Sequence, residues 1–327
     1  MTMKTKLLIF FGALLCVTAA VQQIGWPLAR LTVHVIGEQG EPIPGAEVKI
    51  GFREKLSDQN AWVVGKTDNE GNFTAEGHSD KRLGGSVRKE SFYESGTGWT
   101  IFKDPAFGKW QPWDSVTEVV LRPIGKPVAL AAKHVQVDVP VLDQPCGYDL
   151  EKGDWVAPHG KGVKSDLIFK VSRDYTDRSN FKAEAEIIFA QPLDGFVRMK
   201  APVYARTSAF GWDRSAPEKG YGAPEAIRFI SRDRTTHVER EKTFDETKDR
   251  EQGYFFRVRT LEENGKIIAI NYGKITGDIS IEPRGRKTCL IAFTYYFNPK
   301  SFDRNLEWDP KRNLLQGLSV SETPHDP

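Results

Sequence analysis

The chain has 327 residues, 46 basic and 44 acidic, and is 39% hydrophobic and 11% aromatic. Removing the first twenty residues takes away Lys4 and Lys6 and leaves 44 charges of each sign, so no bulk electrostatic footprint for nucleic acid or an anionic membrane surface remains. The apolar and aromatic content excludes a wholly disordered chain, and the length suggests two domains with a sizeable core.

The opening segment, MTMKTKLLIFFGALLCVTAA, sets Lys4 and Lys6 before an apolar run from Leu7 to Val17 and ends in small residues at Ala20. This is the layout of a secretory signal peptide over residues 1–20, cut after Ala20. An uncleaved anchor is the alternative, but the apolar run is shorter than the roughly 20 residues a spanning helix needs. Once it is cut, no stable membrane insertion is expected, and the chain is placed in the periplasm or outside the cell. Cys146 and Cys289 then remain, which in an exported protein reads either as one disulfide or as two buried free thiols.

The residues from Leu31 to Ile36 alternate, with Leu31, Val33 and Val35 on one face. The residues from Ala46 to Phe52 do likewise through Val48 and Ile50. Between them, GEQGEPIPGAEVKI concentrates glycine and proline, and period-two alternation around such a segment predicts strand, corner, strand. The next pair of strands turns at Asp68-Asn69-Glu70-Gly71, where glycine takes a positive φ and the aspartate bonds nearby amides. GGSVRKESFYES and TEVVLRPI supply later strands.

Taken together, Gly40, Pro42, Gly45 and Ala46, followed by Thr67, Asp68, Gly71 and Phe73, resemble the carboxypeptidase regulatory-like domain family. The resemblance covers about residues 31–124 and implies a transthyretin-like, prealbumin-type β-sandwich. The chain departs from the family at Ser91-Phe92-Tyr93, where a Gly-Tyr pair is usual, and in the longer segment from Gly96 to Ser115. Both departures concern the far edge of the sandwich.

Two prolines between Pro123 and His134 break the alternation and predict a linker over 125–132. The remainder, 133–315, again reads as strands, so the fold class is all-β, with the first sandwich followed by a second β-sandwich or jelly-roll-like domain. FKAEAEIIFA puts Phe181, Ala183, Ala185, Ile187 and Phe189 on one side. A hairpin is predicted at Asn264-Gly265, with a further strand from about Asp278. The run from Thr288 to Phe297 is apolar on both faces, as expected of a central covered strand. The tail, 316–327, is polar and expected to be mobile. In its arrangement the second region resembles exported bacterial proteins that follow such a domain with a β-rich body, which implies no particular activity.

The regulatory-like resemblance prompts a search for metallocarboxypeptidase chemistry, but none of the six histidines has glutamate three residues on; His237 is followed by Val238, Glu239 and Arg240. There is no G-x-S-x-G elbow, P-loop, C-x-x-C pair or dinucleotide fingerprint. No cofactor and no metal is therefore implied.

Two clusters remain. Asp149, Glu151, Asp154 and His159, with Asp166 close by, could ligate Ca²⁺ or pair as acid and base, with turns and salt bridges as the plainer reading. An exported hydrolase centred on Asp149, Asp154 and His159 is the rival function. The stronger lead is aromatic: Tyr93, Trp99, Trp110 and Trp113 crowd a loop-rich segment with Phe92, Phe102 and Phe107. Such rings stack on sugars or anchor a protein partner at low entropic cost; the alternative is packing, with Trp110 and Trp113 capping the core. The expected function is a non-catalytic binding or scaffolding protein of the cell envelope, its partner a glycan or another protein.

Overall fold

The computed structural model describes residues 25–177, 180–202, 204, 207–221, 227–236, 239–241, 252–283, 287–325 and 327. The predicted leader, residues 1–20, and His237 lie outside them. The chain is all-β and forms two units that divide between Pro123 and Ile124. No α-helix occurs among the described residues, and none of their helices is long and apolar enough to cross a membrane.

The first unit contains β1 (Leu28–Ile36), β2 (Glu47–Arg53), β3 (Asn60–Lys66), β4 (Asn72–His78), β5 (Arg82–Arg88), β6 (Ser95–Gly96), β7 (Thr100–Ile101) and β8 (Ser115–Val120). One layer runs β3-β2-β5 and continues into β6 and β7; the other runs β4-β1-β8. A single pairing, Arg53 with His78, joins them. Strict alternation buries Leu31, Val33 and Val35 from one layer against Val48, Ile50 and Phe52 from the other.

The corner between β1 and β2 is stapled from below. Thr67 Oγ1 donates to Ile43 O at 2.7 Å and accepts from Ala46 N at 2.9 Å, and Ala46 is fully buried. Asp68 Oδ1 caps the predicted turn by accepting from Glu70 N and Asn72 N. Gly71 there has φ +78°, and a Cβ would stand 2.5 Å from Val35 O, so only glycine closes this turn against β1.

The second unit contains β9 (Ala131–Asp138), β10 (Pro145–Asp149), β11 (Asp154–Trp155), β12 (Leu167–Asp177), β13 (Asn180–Ile188), β14 (Gly195–Lys200), β15 (Ile227–Thr236), β16 (Glu239–Glu241), β17 (Gln252–Glu263), β18 (Lys266–Glu282) and β19 (Leu290–Asn298). One antiparallel sheet has the order β11-β10-β12-β13-β15-β16 and the other β14-β17-β18-β19-β9. Phe169, Val171, Ala183 and Ala185 of the first pack with Phe256, Ile275, Phe293 and Tyr295 of the second in one core.

Asn264 and Gly265, both with positive φ, make the two-residue hairpin loop joining Glu263 to Lys266. No separate strand begins at Asp278, contrary to the expectation. β18 runs on through a register shift between Thr276 and Ser280, where Gly277 at φ +75° absorbs the irregularity. β19 lies between β18 and β9 as the predicted covered strand; Trp308 packs on Tyr296 with ring centroids 5.3 Å apart.

Two further expectations are corrected. Residues 125–132 are not a free linker: the buried Glu307 carboxylate accepts from Gly125 N at 2.8 Å and Lys126 N at 2.6 Å, and Leu130, Ala131 and Ala132 are buried. The tail is also tied down, because Glu322 O accepts from His134 N and the Glu322 carboxylate pairs with Lys133 at 3.0 Å. Cys146 and Cys289 are buried free thiols, so the unbridged alternative describes them.

Burial pushes the Cys289 thiol up to about 11, which keeps it protonated and unreactive. A thiol reagent should label neither cysteine in the folded protein and both after denaturation without reductant; a bridged pair would stay unlabelled in both conditions. Glu307→Ala should lower unfolding free energy by about 1.5–3 kcal/mol, the range for hydrogen bonds to a charged group, read as a lower urea midpoint at unchanged slope.

Candidate functional site

Of the four aromatics singled out by sequence, Trp110 belongs to the core. It is 8% exposed, its Nε1 donates to Ser79 O at 2.7 Å, and it stacks on Phe102. Trp113 is half-buried with Lys109 Nζ 4.4 Å above its ring, and Tyr93 is half-buried with its backbone N–H bonded to Arg122 O. Trp99 alone among the four stands open, at 72% exposure.

Strand pairing explains where Trp99 points. Ser86 opposes Gly96 and Leu83 opposes Thr100, so one extra residue sits between β6 and β7, with both Gly98 and Trp99 opposite Gly84. Gly98 has φ +67°, the signature of a bulge built on a left-handed glycine. The bulge turns the Trp99 ring out onto the solvent face, where it lies over Gly84; a Cβ on Gly84 would come within 3.2 Å of it.

The same face carries a second indole, which the sequence reading passed over. Gly84 pairs directly with Gly51 of β2, and Gly51 pairs directly with Trp62 of β3. Trp62 is 52% exposed and its ring lies over Gly51, 2.9 Å from where a Cβ would be. Directly opposed residues share a face, with about 4.5–5.5 Å between Cβ positions. One row across three strands and the bulged edge therefore reads Trp62, Gly51, Gly84, Trp99: two indoles, each laid over a glycine of the paired strands. Val64 and Ile101 extend the exposed apolar surface.

The acidic cluster resolves differently. Asp149 is buried, and its carboxylate accepts from the backbone N–H groups of Glu151, Lys152, Val163 and Lys164 at 2.8–3.1 Å. Burial pushes this carboxyl up, but the four N–H groups together outweigh burial and hold it below the usual range. Asp154 accepts from Trp155 N and Lys161 N, and His159 is exposed, its backbone N–H donating to Val156 O. Asp149 and Asp154 oppose each other directly across β10 and β11, and each carboxylate is engaged by backbone N–H groups of the surrounding turns. Among the described residues no group of three or more His, Cys, Asp or Glu side chains is arranged to hold a metal ion.

What does converge is centred on Arg259, which lies at a bulge of β17 with φ +58°. Its guanidinium is bidentate to buried Asp166 at 2.7 and 2.9 Å, bonds Glu151, and reaches Asp149 at 3.3 Å. Asp194 accepts from the backbone N–H groups of Arg259 and Thr260, both at 3.0 Å, and so fixes the bulge. Burial raises Asp166 and Asp194, with Arg259 and backbone donors partly offsetting it. These side chains line a cavity of about 320 Å³ with Lys164, Gln191 and Leu261. Arg259 sits 93 positions from Asp166 in the chain and carries no motif that would have announced it.

No family profile matches the chain, and no curated protein matches it. Among solved structures it is similar to 3-chlorocatechol 1,2-dioxygenase from Rhodococcus opacus 1CP, with 11% identity and TM-score 0.22 over 31% of this chain and 61% of that one. The chain thus spans less than two thirds of that enzyme. It is also similar to a protein from Bacteroides uniformis ATCC 8492 provisionally described as carbohydrate binding, at 11% identity, TM-score 0.20, and 81% and 96% coverage. A third is the shaft pilin SpaA from Lactobacillus rhamnosus GG, at 10% identity, TM-score 0.22, and 85% and 94% coverage. Such identities and TM-scores decide nothing about what this chain binds.

Removing the cation from a buried carboxylate cluster is costly. Arg259→Leu should destabilise by about 3–5 kcal/mol, and adding Asp166→Asn should recover part of it in a double-mutant cycle; strictly additive losses would show the pair is not coupled. Asp149, lowered in the folded state, contributes stability that is present above its unfolded value of about 3.9. That contribution is lost as pH falls through the folded value. Asp149→Asn should therefore flatten the acid limb of a pH–stability curve.

Proposed function

We propose that this chain is an exported, non-catalytic binding protein of the cell envelope, and that its first unit is a carboxypeptidase regulatory-like β-sandwich presenting Trp62 and Trp99 to a glycan or a protein partner. The observation that carries the reading is the pair of exposed indoles laid on directly paired glycines. Exposed aromatic side chains are costly to keep in water and few torsions are frozen when they bind, so a pair on one flat face favours a stacking ligand. The family assignment is supported by the stapled corner at Ala46 and Thr67 and the aspartate-capped turn at Gly71. Export is supported by the leader-like opening of the sequence.

The hydrolase alternative would use Asp149 and Asp154, which oppose each other across β10 and β11, but Asp149 is buried and its carboxylate is taken up by four backbone N–H groups and Arg259.

The test is a glycan array and an envelope-protein binding assay on the native chain and on Trp62→Ala, Trp99→Ala and the double variant. Each single variant should weaken binding about tenfold or more, as truncation of an aromatic hot spot does. Binding that survives in the double variant, with its fold intact by circular dichroism, would falsify the assignment of this face.

A further inference from the structure

The charges flanking the indoles narrow the ligand class, resting on the reading just given that this face binds. On the outward side of β2, Lys49 lies two residues before Gly51; on β5, Arg82 lies two residues before Gly84. Because the strands are antiparallel, the two cations stand on opposite sides of the glycine floor. Both are exposed, and among the described residues neither side-chain cation has a carboxylate partner, although the Arg82 backbone N–H donates to Asp80 Oδ1 at 2.8 Å. Lys49 Nζ lies over the Trp62 ring, 4.3 Å from its centroid, a cation–π contact that holds the charge against the platform. The neighbouring cation is already neutralised: Arg53 pairs with Asp80 at 3.3 Å and donates to Asn60 and to Asp58 O. Glu47, one row beyond Lys49, opposes Arg88 and Lys66 across the strands.

The geometry points to an acidic carbohydrate as the occupant: a saccharide whose ring faces lie on Trp62 and Trp99 over Gly51 and Gly84, and whose carboxylate or phosphate meets Lys49 or Arg82. The C–H faces of a sugar ring complement the negative face of an indole. The absence of Cβ atoms at Gly51 and Gly84 lets the two indoles lie down on the sheet as a platform for a flat ring. The unpaired cations at both ends supply charge complementarity for an anionic substituent, and such rim charges act chiefly on specificity and association rate. A protein partner would use the apolar surface without needing either cation.

The experiment is tryptophan fluorescence and calorimetric titration of the native chain with carboxylated oligosaccharides (galacturonate and mannuronate series) and phosphorylated ones. Each is matched to its uncharged counterpart, such as the fully methyl-esterified galacturonate. At least one acidic member should bind about tenfold or more tightly than its uncharged match, a preference that falls with added salt. Lys49→Gln and Arg82→Gln should abolish that preference, bringing the acidic member and its uncharged match to equal affinity. Gly51→Val, which lifts the Trp62 ring, should weaken both members of a pair, with folding checked by the urea midpoint. Equal binding of acidic and uncharged members, lost in Trp62→Ala, would overturn the acidic preference and leave the binding face standing. No binding by any saccharide, together with capture of an envelope protein that depends on Trp62 and Trp99, would overturn the carbohydrate class. Failure of both would overturn this inference and the proposed function together.

Discussion

The register of β2 governs the first unit. Val48, Ile50 and Phe52 must face the core, which forces Lys49, Gly51 and Arg53 onto the opposite side. A slip of one residue would bring three large apolar side chains into water and three charges, Glu47, Lys49 and Arg53, into the core. The outward face of β2 follows from that constraint. In the pairing adopted, Gly51 opposes Trp62 on one side and Gly84 on the other. The bulge at Gly98 then decides that the edge contributes an indole to this row.

The second unit is organised around a buried charge. Arg259 gathers carboxylates from the β10–β11 turn and from the segment leading into β12, while Asp194 clamps the strand that carries it. Such a network is poor evidence for stability, because desolvating several charges offsets much of the attraction among them. Its consequence is specificity of arrangement: the loop wound around Asp149 can close in one way when four backbone N–H groups and a guanidinium share its carboxylate. The two units thus reach order by different routes, one chiefly through apolar alternation with a hydrogen-bonded corner and the other with a polar knot beside its apolar core.

Local chemistry made much of the fold legible. Glycine, proline and alternation marked the first corner, the aspartate turn before Gly71 and the loop at Asn264-Gly265, since each of these depends on residues within a few positions of one another. The aromatic lead was legible only in outline. Trp99 and Trp110 look alike in sequence, both in a loop-rich stretch, yet one is turned out by a bulge and the other is bonded to Ser79 beneath the sheet. Trp62 drew no notice because an aromatic in an alternating strand has no address until its cross-strand neighbours are known. The carboxylates at Asp149 and Asp154 suggested a site by proximity in sequence; both accept backbone N–H groups of the surrounding turns, and Asp149 also meets the distant Arg259.

The sequence by itself determined the all-β class, the first corner and the tight turns, because period-two alternation and the torsional demands of glycine and proline act locally. Tertiary structure alone decided which residues meet: Trp62 with Trp99 across two glycines, and Arg259 with Asp149 and Asp166 from far along the chain. The physical reason is the same in both cases. Cross-strand neighbours are selected by register and burial over the whole sheet, and a single chain of letters carries the alternation of each strand without the pairing between them.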